Sequence, residues 1–203
     1  MIQKIRYVFL LLLSFNALQV MAQENVASRI DSLFSSFLKA DEPGGAVLIA
    51  KAGQVVFSKG YGIADINTKE PITPHTIFNT GSVSKTIVSY AILLLQQRNL
   101  LSVDDNLLKY FPDFKNKKIA EQVQIKHLLS HVSGLPDNRE VSKNHDFYLT
   151  ADDAQNFAPV QQADKLEFAP GSRYKYSNPA FNALALIIEK ITGSKWQQFV
   201  RTE

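Results

Sequence analysis

The chain of 203 residues contains no cysteine. Disulfide bonds, thiol nucleophiles, iron–sulfur clusters and a lipid-modified N-terminal cysteine are therefore excluded. An excess of one charge is also lacking, because 22 Lys and Arg stand against 19 Asp and Glu. Two of the positive residues, Lys4 and Arg6, lie in a leading segment that we predict is removed. A balance so near neutrality gives no electrostatic basis for binding nucleic acid.

Residues 1–22 have the composition of a secretory signal peptide. A short basic start precedes an apolar stretch over 7–15 that is too short to span a bilayer, and Ala22 offers a small residue for cleavage. We predict a signal peptide over 1–22, a single domain over 23–203, and a secreted or periplasmic bacterial protein with no transmembrane span after cleavage. The alternative is an N-terminal membrane anchor.

Apolar periodicity in the remainder predicts an α+β domain. The predicted elements are a helix over 26–40, a β-hairpin over 46–63, helices over 82–97, 125–131 and 178–193, and a last helix beginning near Lys195. The run over 82–97 is apolar nearly all round, which predicts burial on most sides. No element is predicted over 133–175. A hairpin alone is not a stable sheet, so further strands are expected that the sequence does not show.

The tetrapeptide Ser-x-x-Lys occurs three times, in three different contexts. On a helix this spacing places a hydroxyl and an amine one turn apart, where the amine can take the hydroxyl proton. Ser36 and Lys39 fall at the end of the first helix, where a lysine complements the helix dipole. Ser172 and Lys175 fall in a turn or extended stretch, where residues at i and i+3 face opposite sides. Neither pair is predicted to react.

The third copy, Ser82 and Lys85, begins the most apolar helix of the chain. A cation in a first helical turn is disfavoured by about 0.3–1 kcal/mol. Burial and the positive helix end both favour the neutral amine that a general base requires. A residue that breaks a local preference in this way indicates function. The alternative is that Ser82 caps the helix and that the amine of Lys85 reaches solvent.

The tripeptide Tyr-x-Asn occurs once, as Tyr176-Ser177-Asn178, just before a predicted helix. Loops that lead into helices are common positions for functional side chains. The structural alternative is that Asn178 is the N-cap, with Pro179 at the first helical position. The two interpretations are compatible with one another.

The histidines do not form a metal-binding pattern. They are His75, His127, His131 and His145. His127 and His131 are spaced i, i+4 and would share one helix face, but the glutamate of the zinc-protease pattern is absent. We predict neither a metal nor a cofactor. The Gly-x-Ser-x-Gly elbow is also missing, which argues against an α/β-hydrolase.

Taken together, these residues resemble the serine β-lactamase and penicillin-binding-protein superfamily, specifically its class C β-lactamase-like branch. The matching stretches lie over 44–47, 61–65, 78–86, 127–136 and 170–178, and the similarity runs from about residue 27 to the end of the sequence. The resemblance implies a β-lactamase/transpeptidase-like fold, in which an antiparallel sheet flanked by helices lies beside an all-helical region.

The resemblance also implies acyl transfer with a small-molecule or peptide substrate: a β-lactam, an ester or a D-amino-acid peptide. Ser82 would attack the carbonyl with Lys85 as base, giving an acyl-enzyme. Tyr176 would pass a proton to the leaving group or activate the incoming water. Asn178 would hydrogen-bond the amide of the substrate, and the Ser82 N–H would supply half of an oxyanion hole. The scaffold does not fix the substrate, and no oligomeric state is predicted.

Members of the superfamily carry a third element, Lys-Thr-Gly or His-x-Gly, on a later strand, and the sequence shows none beyond Asn178. We therefore expect a truncated hydrolase whose C-terminal strands are missing from this chain. Two alternatives stay open. One is a catalytically inactive cell-wall or peptide-binding relic, and the other is a chain that does not fold stably because its sheet edges are open.

Overall fold

A computed structural model describes residues 26–139 and 145–203. The predicted signal peptide over 1–22 lies outside the described residues. The chain divides into two compact units between Asn79 and Thr80. None of the helices within the described ranges is long and apolar enough to cross a bilayer.

The first unit contains a helix, α1, and a β-hairpin. Helix α1 covers 26–37, and strands β1 (Gly45–Lys51) and β2 (Gln54–Tyr61) pair antiparallel. The turn between the strands has φ values of 50° at Ala52 and 78° at Gly53. Two successive left-handed residues match the twist of hairpin strands, and glycine adopts this conformation at no steric cost. The predicted hairpin and its turn are confirmed.

Helix α1 is joined to strand β2 by a hydrogen-bond network around Asp31. The hydroxyl of Tyr61 donates to its carboxylate at 2.9 Å, and the amine of Lys59 donates to the same oxygen at 2.6 Å. The rings of Phe34 and Tyr61 lie 6.0 Å apart. Burial, followed by the neighbouring Asp31, raises the pKa of Tyr61 to about 12. Tyr61 therefore stays a neutral donor at all physiological pH values.

The regular secondary structure in the described part of the second unit consists of helices. A 3-10 turn (Gly81–Val83) leads into α2 (Ser84–Gln97), which is followed by α3 (Leu107–Tyr110), α4 (Lys117–Gln122), α5 (Ile125–Leu129), α6 (His145–Thr150), α7 (Asp153–Gln161), α8 (Asn178–Thr192) and α9 (Trp196–Thr202). Helix α8 contacts α2, α5, α7 and α9. Its side chains Leu184, Ile187 and Ile188 are fully buried, so α8 is the centre of the core.

Helix α2 is buried on one face. Its buried side chains are Val88, Ala91, Ile92 and Leu95. Ile87, Tyr90 and Leu93 are exposed on other faces of the helix. The prediction of burial on most sides is therefore wrong for the described part of the chain, where α2 packs against α8 and α9.

Helices α6 and α7 occupy the stretch for which no element was predicted. Helix α7 begins with a capping box, in which Asp152 accepts from the backbone of Gln155 while the Gln155 side chain accepts from the backbone of Asp152. Pro159 lies inside α7, and of its nine residues only Phe157 and Val160 are buried. A helix with a proline and so short an apolar face gives a weak periodic signal.

Candidate active site

The four predicted site residues come together where the start of α2 meets the start of α8. Ser82 lies in the 3-10 turn and Lys85 in the first turn of α2. Tyr176 lies in the extended segment before α8, and Asn178 is the first residue of that helix. Lys85 is half-buried, whereas Tyr176 is 46% exposed. The cluster is therefore open to a substrate on one side.

One amine connects the members of this cluster. The Nζ atom of Lys85 donates to the Ser82 Oγ atom at 3.3 Å and to the Asn178 Oδ1 atom at 2.9 Å. The hydroxyl oxygens of Ser82 and Tyr176 lie 2.7 Å apart. The alternative that Ser82 caps the helix is wrong, because no side-chain hydrogen bond caps either the 3-10 turn or α2. The amine of Lys85 points at these partners instead of at solvent.

The environment of Tyr176 favours its ionised form. Its interaction with Lys85, followed by the hydrogen bond to Ser82, lowers the pKa of Tyr176 below the ordinary 10.0. The Lys85 Nζ atom also lies 5.1 Å from the centre of the Tyr176 ring and 5.6 Å from that of Phe181. A proton that moves between this amine and this phenol leaves the net charge of the pair unchanged.

The other two Ser-x-x-Lys copies do not form a hydroxyl–amine pair. Lys39 donates to the backbone carbonyl of Ser36 at 2.6 Å, at the end of α1. Ser172 donates to a backbone carbonyl, and Lys175 pairs with Glu167 at 2.7 Å. Lys39 lies beyond the last residue of α1, and neither Ser172 nor Lys175 lies in a helix, so neither pair is held one helical turn apart.

The N-cap of α8 is Ser177, so the structural alternative that Asn178 is the cap is wrong. The Ser177 hydroxyl accepts from the Ala180 N–H at 3.2 Å, because Ser177 has the extended backbone of an N-cap residue. Pro179 is then the second helical residue. The side chain of Asn178 is left to accept the hydrogen bond from Lys85.

A pair of substitutions separates the cap from the site. Ser177→Ala is expected to lower the free energy of unfolding by about 1 kcal/mol, because it removes the cap of the central helix. Asn178→Ala is expected to change it by less than about 0.5 kcal/mol, because that side chain is exposed and caps nothing. Urea denaturation of both variants measures the difference. Equal losses, or a larger loss at Asn178, would contradict the assignment of the cap.

The sequence did not predict a role for His131, which lies beside the cluster. Helix α5 ends at Leu129 and His131 has a φ of 57°, so His127 and His131 do not share a helix face as predicted. The His131 ring centre lies 4.5 Å from that of Tyr176. The contact depends on the left-handed backbone of His131, and the periodicity of side chains along the sequence does not reveal such a backbone conformation.

The sequence pattern of the Beta-lactamase family matches residues 30–203, and the chain belongs to this family. It is 29% identical over 183 residues to Penicillin-binding protein 4* of Bacillus subtilis (strain 168), a match that covers 89% of this chain and 40% of the relative. The membership predicted from the motifs is confirmed at the level of the serine β-lactamase and penicillin-binding superfamily. The class C-like branch stays a prediction.

Two solved structures share the fold. The octameric penicillin-binding protein homologue from Pyrococcus abyssi superposes with a TM-score of 0.72 at 28% identity, over 88% of this chain and 41% of that one. EstCE1, a hydrolase with promiscuous acyltransferase activity, superposes with a TM-score of 0.71 at 26% identity, over 90% of this chain and 51% of that one. The predicted α+β, β-lactamase/transpeptidase-like fold is confirmed. The chain spans about half or less of the length of each of these three relatives.

Proposed function

We propose that this chain belongs to a serine hydrolase of the secreted or periplasmic space, which forms an acyl-enzyme on Ser82. The single observation that supports the proposal most is the hydrogen-bonded set of Ser82, Lys85 and Tyr176. A nucleophilic hydroxyl within reach of a base, with that base held by a further group, is the arrangement that covalent catalysis requires. Here Asn178 holds the amine that faces the hydroxyl.

The reaction would proceed in two balanced steps. The Ser82 oxygen attacks the substrate carbonyl, and its proton passes to the Lys85–Tyr176 pair as the bond to the leaving group breaks. Tyr176 returns that proton to the leaving nitrogen or oxygen. A water molecule then attacks the acyl carbon and loses a proton to the same pair. The bond between the acyl carbon and the Ser82 oxygen breaks, the pair returns the proton to that oxygen, and the acid and the serine hydroxyl are released. The backbone N–H of Ser82 lies in a first helical turn, where N–H groups lack intrahelical partners and stabilise an oxyanion.

The proposed substrates are β-lactams, esters and D-amino-acid peptides, with Asn178 as hydrogen-bonding partner of the substrate amide. Relationship to a penicillin-binding protein supports the first class. Structural similarity to EstCE1, a hydrolase with promiscuous acyltransferase activity, supports acyl transfer. A signal peptide over 1–22, followed by the hydrolase domain from residue 23, is part of the proposal because its composition fits export. Export would place the enzyme where cell-wall peptides occur.

Covalent labelling tests the proposal. The protein is incubated separately with a fluorophosphonate, benzylpenicillin and p-nitrophenyl acetate, and its intact mass is recorded over time. With each reagent we expect a single adduct per chain. Peptide mapping is expected to assign it to Ser82 and not to the neighbouring Ser84, whose hydroxyl donates to the Gly81 carbonyl. The lifetimes of the benzylpenicillin and acetyl adducts rank the substrate classes. Absence of all three adducts, or an adduct on another serine, would overturn the assignment.

A further inference from the structure

His131 contacts Tyr176, and the reaction proposed above assigns no role to this histidine. The two rings lie 4.5 Å apart at an angle of 33°. Phe181 and Tyr174 also contact the imidazole, with ring centres at 5.1 and 5.9 Å. The imidazole therefore lies within an aromatic cluster that includes the phenol bonded to Ser82.

The hydrogen bonds of His131 hold the residues on both sides of Tyr176. Its Nδ1 atom accepts the Ser177 N–H at 3.2 Å, and its carbonyl oxygen accepts the Lys175 N–H at 2.9 Å. His131 thus contacts the phenol ring of Tyr176 and the backbone on both sides of it.

The contact at Nδ1 fixes the protonation state of the ring. An Nδ1 atom that accepts an N–H carries no hydrogen, so the neutral imidazole has its hydrogen on Nε2. A proton added to Nδ1 would face the Ser177 N–H donor and end that hydrogen bond. Burial and then the charge of Lys85 lower the pKa of His131 below 6.5, which favours the neutral ring at pH 7.

We propose that His131 is a positioning residue, which in its neutral form holds the Tyr176 hydroxyl against Ser82 and on protonation releases it. The inference rests on the proposed function, because it assigns to His131 the placement of a group in that reaction. The titratable groups that face the imidazole are Lys85 from α2 and Tyr174 and Tyr176 from the segment before α8. His131 would thereby determine how the rate of Ser82 acylation falls toward acid pH.

The first test determines the protonation state of the His131 ring without any substrate. Two-dimensional NMR of the protein labelled with ¹⁵N at histidine reports which nitrogen of each ring carries hydrogen. We expect His131 at pH 7.5 to be neutral with hydrogen on Nε2, and to titrate with a midpoint below 6.5. Hydrogen on Nδ1 at pH 7.5, or a midpoint above 6.5, would overturn the proposal whether or not the enzyme turns over any substrate.

The second test compares two variants that each keep one half of the contact. His131→Phe keeps the aromatic ring but removes the acceptor for the Ser177 N–H. His131→Asn keeps a side-chain acceptor and tolerates the left-handed backbone, but it removes the ring and the titration. We expect His131→Phe to lower the fluorophosphonate labelling rate at pH 8 by about 10- to 100-fold, the range for a misplaced catalytic group. We expect His131→Asn to lose the decline in rate between pH 7 and 5.

His127→Asn is the matched control. The Nδ1 atom of His127 also accepts a backbone N–H, that of Gln124 at 3.1 Å, and burial likewise lowers its pKa. Within the described residues His127 makes neither a hydrogen bond nor a ring contact with Tyr176, so this variant is expected to keep the rate and the pH profile of the parent. A parent-like rate in His131→Phe, an unchanged decline in His131→Asn, or equal effects at both histidines would contradict a positioning role. If the parent chain itself is not labelled, the proposed function fails, and the tautomer measurement still decides the state of His131.

Discussion

Replacing Ser82 with alanine is expected to abolish acyl-adduct formation and to lower kcat/KM by about 10⁴- to 10⁶-fold, as the loss of a catalytic serine does in other hydrolases. The reason is that the Ser82 Oγ atom is the oxygen that both Lys85 and Tyr176 contact. The measurements are the intact mass after fluorophosphonate treatment and the initial rate of p-nitrophenyl acetate hydrolysis. The side chain is exposed, so the midpoint of thermal unfolding is expected to stay close to that of the parent.

Ser84→Ala is the control for this substitution. Ser84 lies two residues further along, and its hydroxyl donates to the Gly81 carbonyl at 2.7 Å. We expect this variant to be labelled normally and to hydrolyse the ester within about twofold of the parent rate, as for a substitution outside the site. Continued turnover in Ser82→Ala at the parent rate would show that the reaction uses another nucleophile. A loss in both variants, with lower thermal midpoints, would point to damage of the helix start.

The elements predicted well are those with a strong periodic signal and a defined end. Helix α8 carries a wide apolar face and ends where Gly193 has a φ of 70°. The hairpin combines apolar strands with a turn at Ala52 and Gly53. Helices α6 and α7 were missed because such signals are weak there, although the capping box at Asp152 is visible in the sequence. A cap without an apolar face after it does not by itself indicate a helix.

That the four residues of the candidate site lie together is shown by the structure, their catalytic roles stay a prediction, and their arrangement could not be predicted from the sequence. Context distinguished Ser82 and Lys85 from the other two Ser-x-x-Lys copies, because local backbone structure decides whether residues at i and i+3 meet. The contact of Ser82 with Tyr176 spans 94 positions and depends on how α8 packs on α2. Local propensity also could not choose between Ser177 and Asn178 as the cap, because serine and asparagine are about equally favourable there.

Lys85→Met is expected to lower the rate of Ser82 labelling by about 10²- to 10⁴-fold, the contribution of a positioned acid–base group. Methionine matches the length of the lysine stem and packs well against aromatic rings, so the contacts with Tyr176 and Phe181 are largely kept. The variant therefore tests the amine and not the packing. Labelling rates at several pH values, together with the thermal midpoint, measure its effect.

The same variant carries a second readout, because Lys85 is the largest cause of the lowered pKa of Tyr176. Removal of the amine is expected to raise that pKa toward 10.0, and ¹³C NMR of the labelled tyrosine ring measures the change. Lys39→Met is the control, since Lys39 belongs to another Ser-x-x-Lys copy and is exposed. It is expected to change neither quantity. If Lys85→Met were labelled at the parent rate while the pKa of Tyr176 rose, the amine would act on the phenol without serving as the base, and proton transfer would have to be assigned to Tyr176 alone.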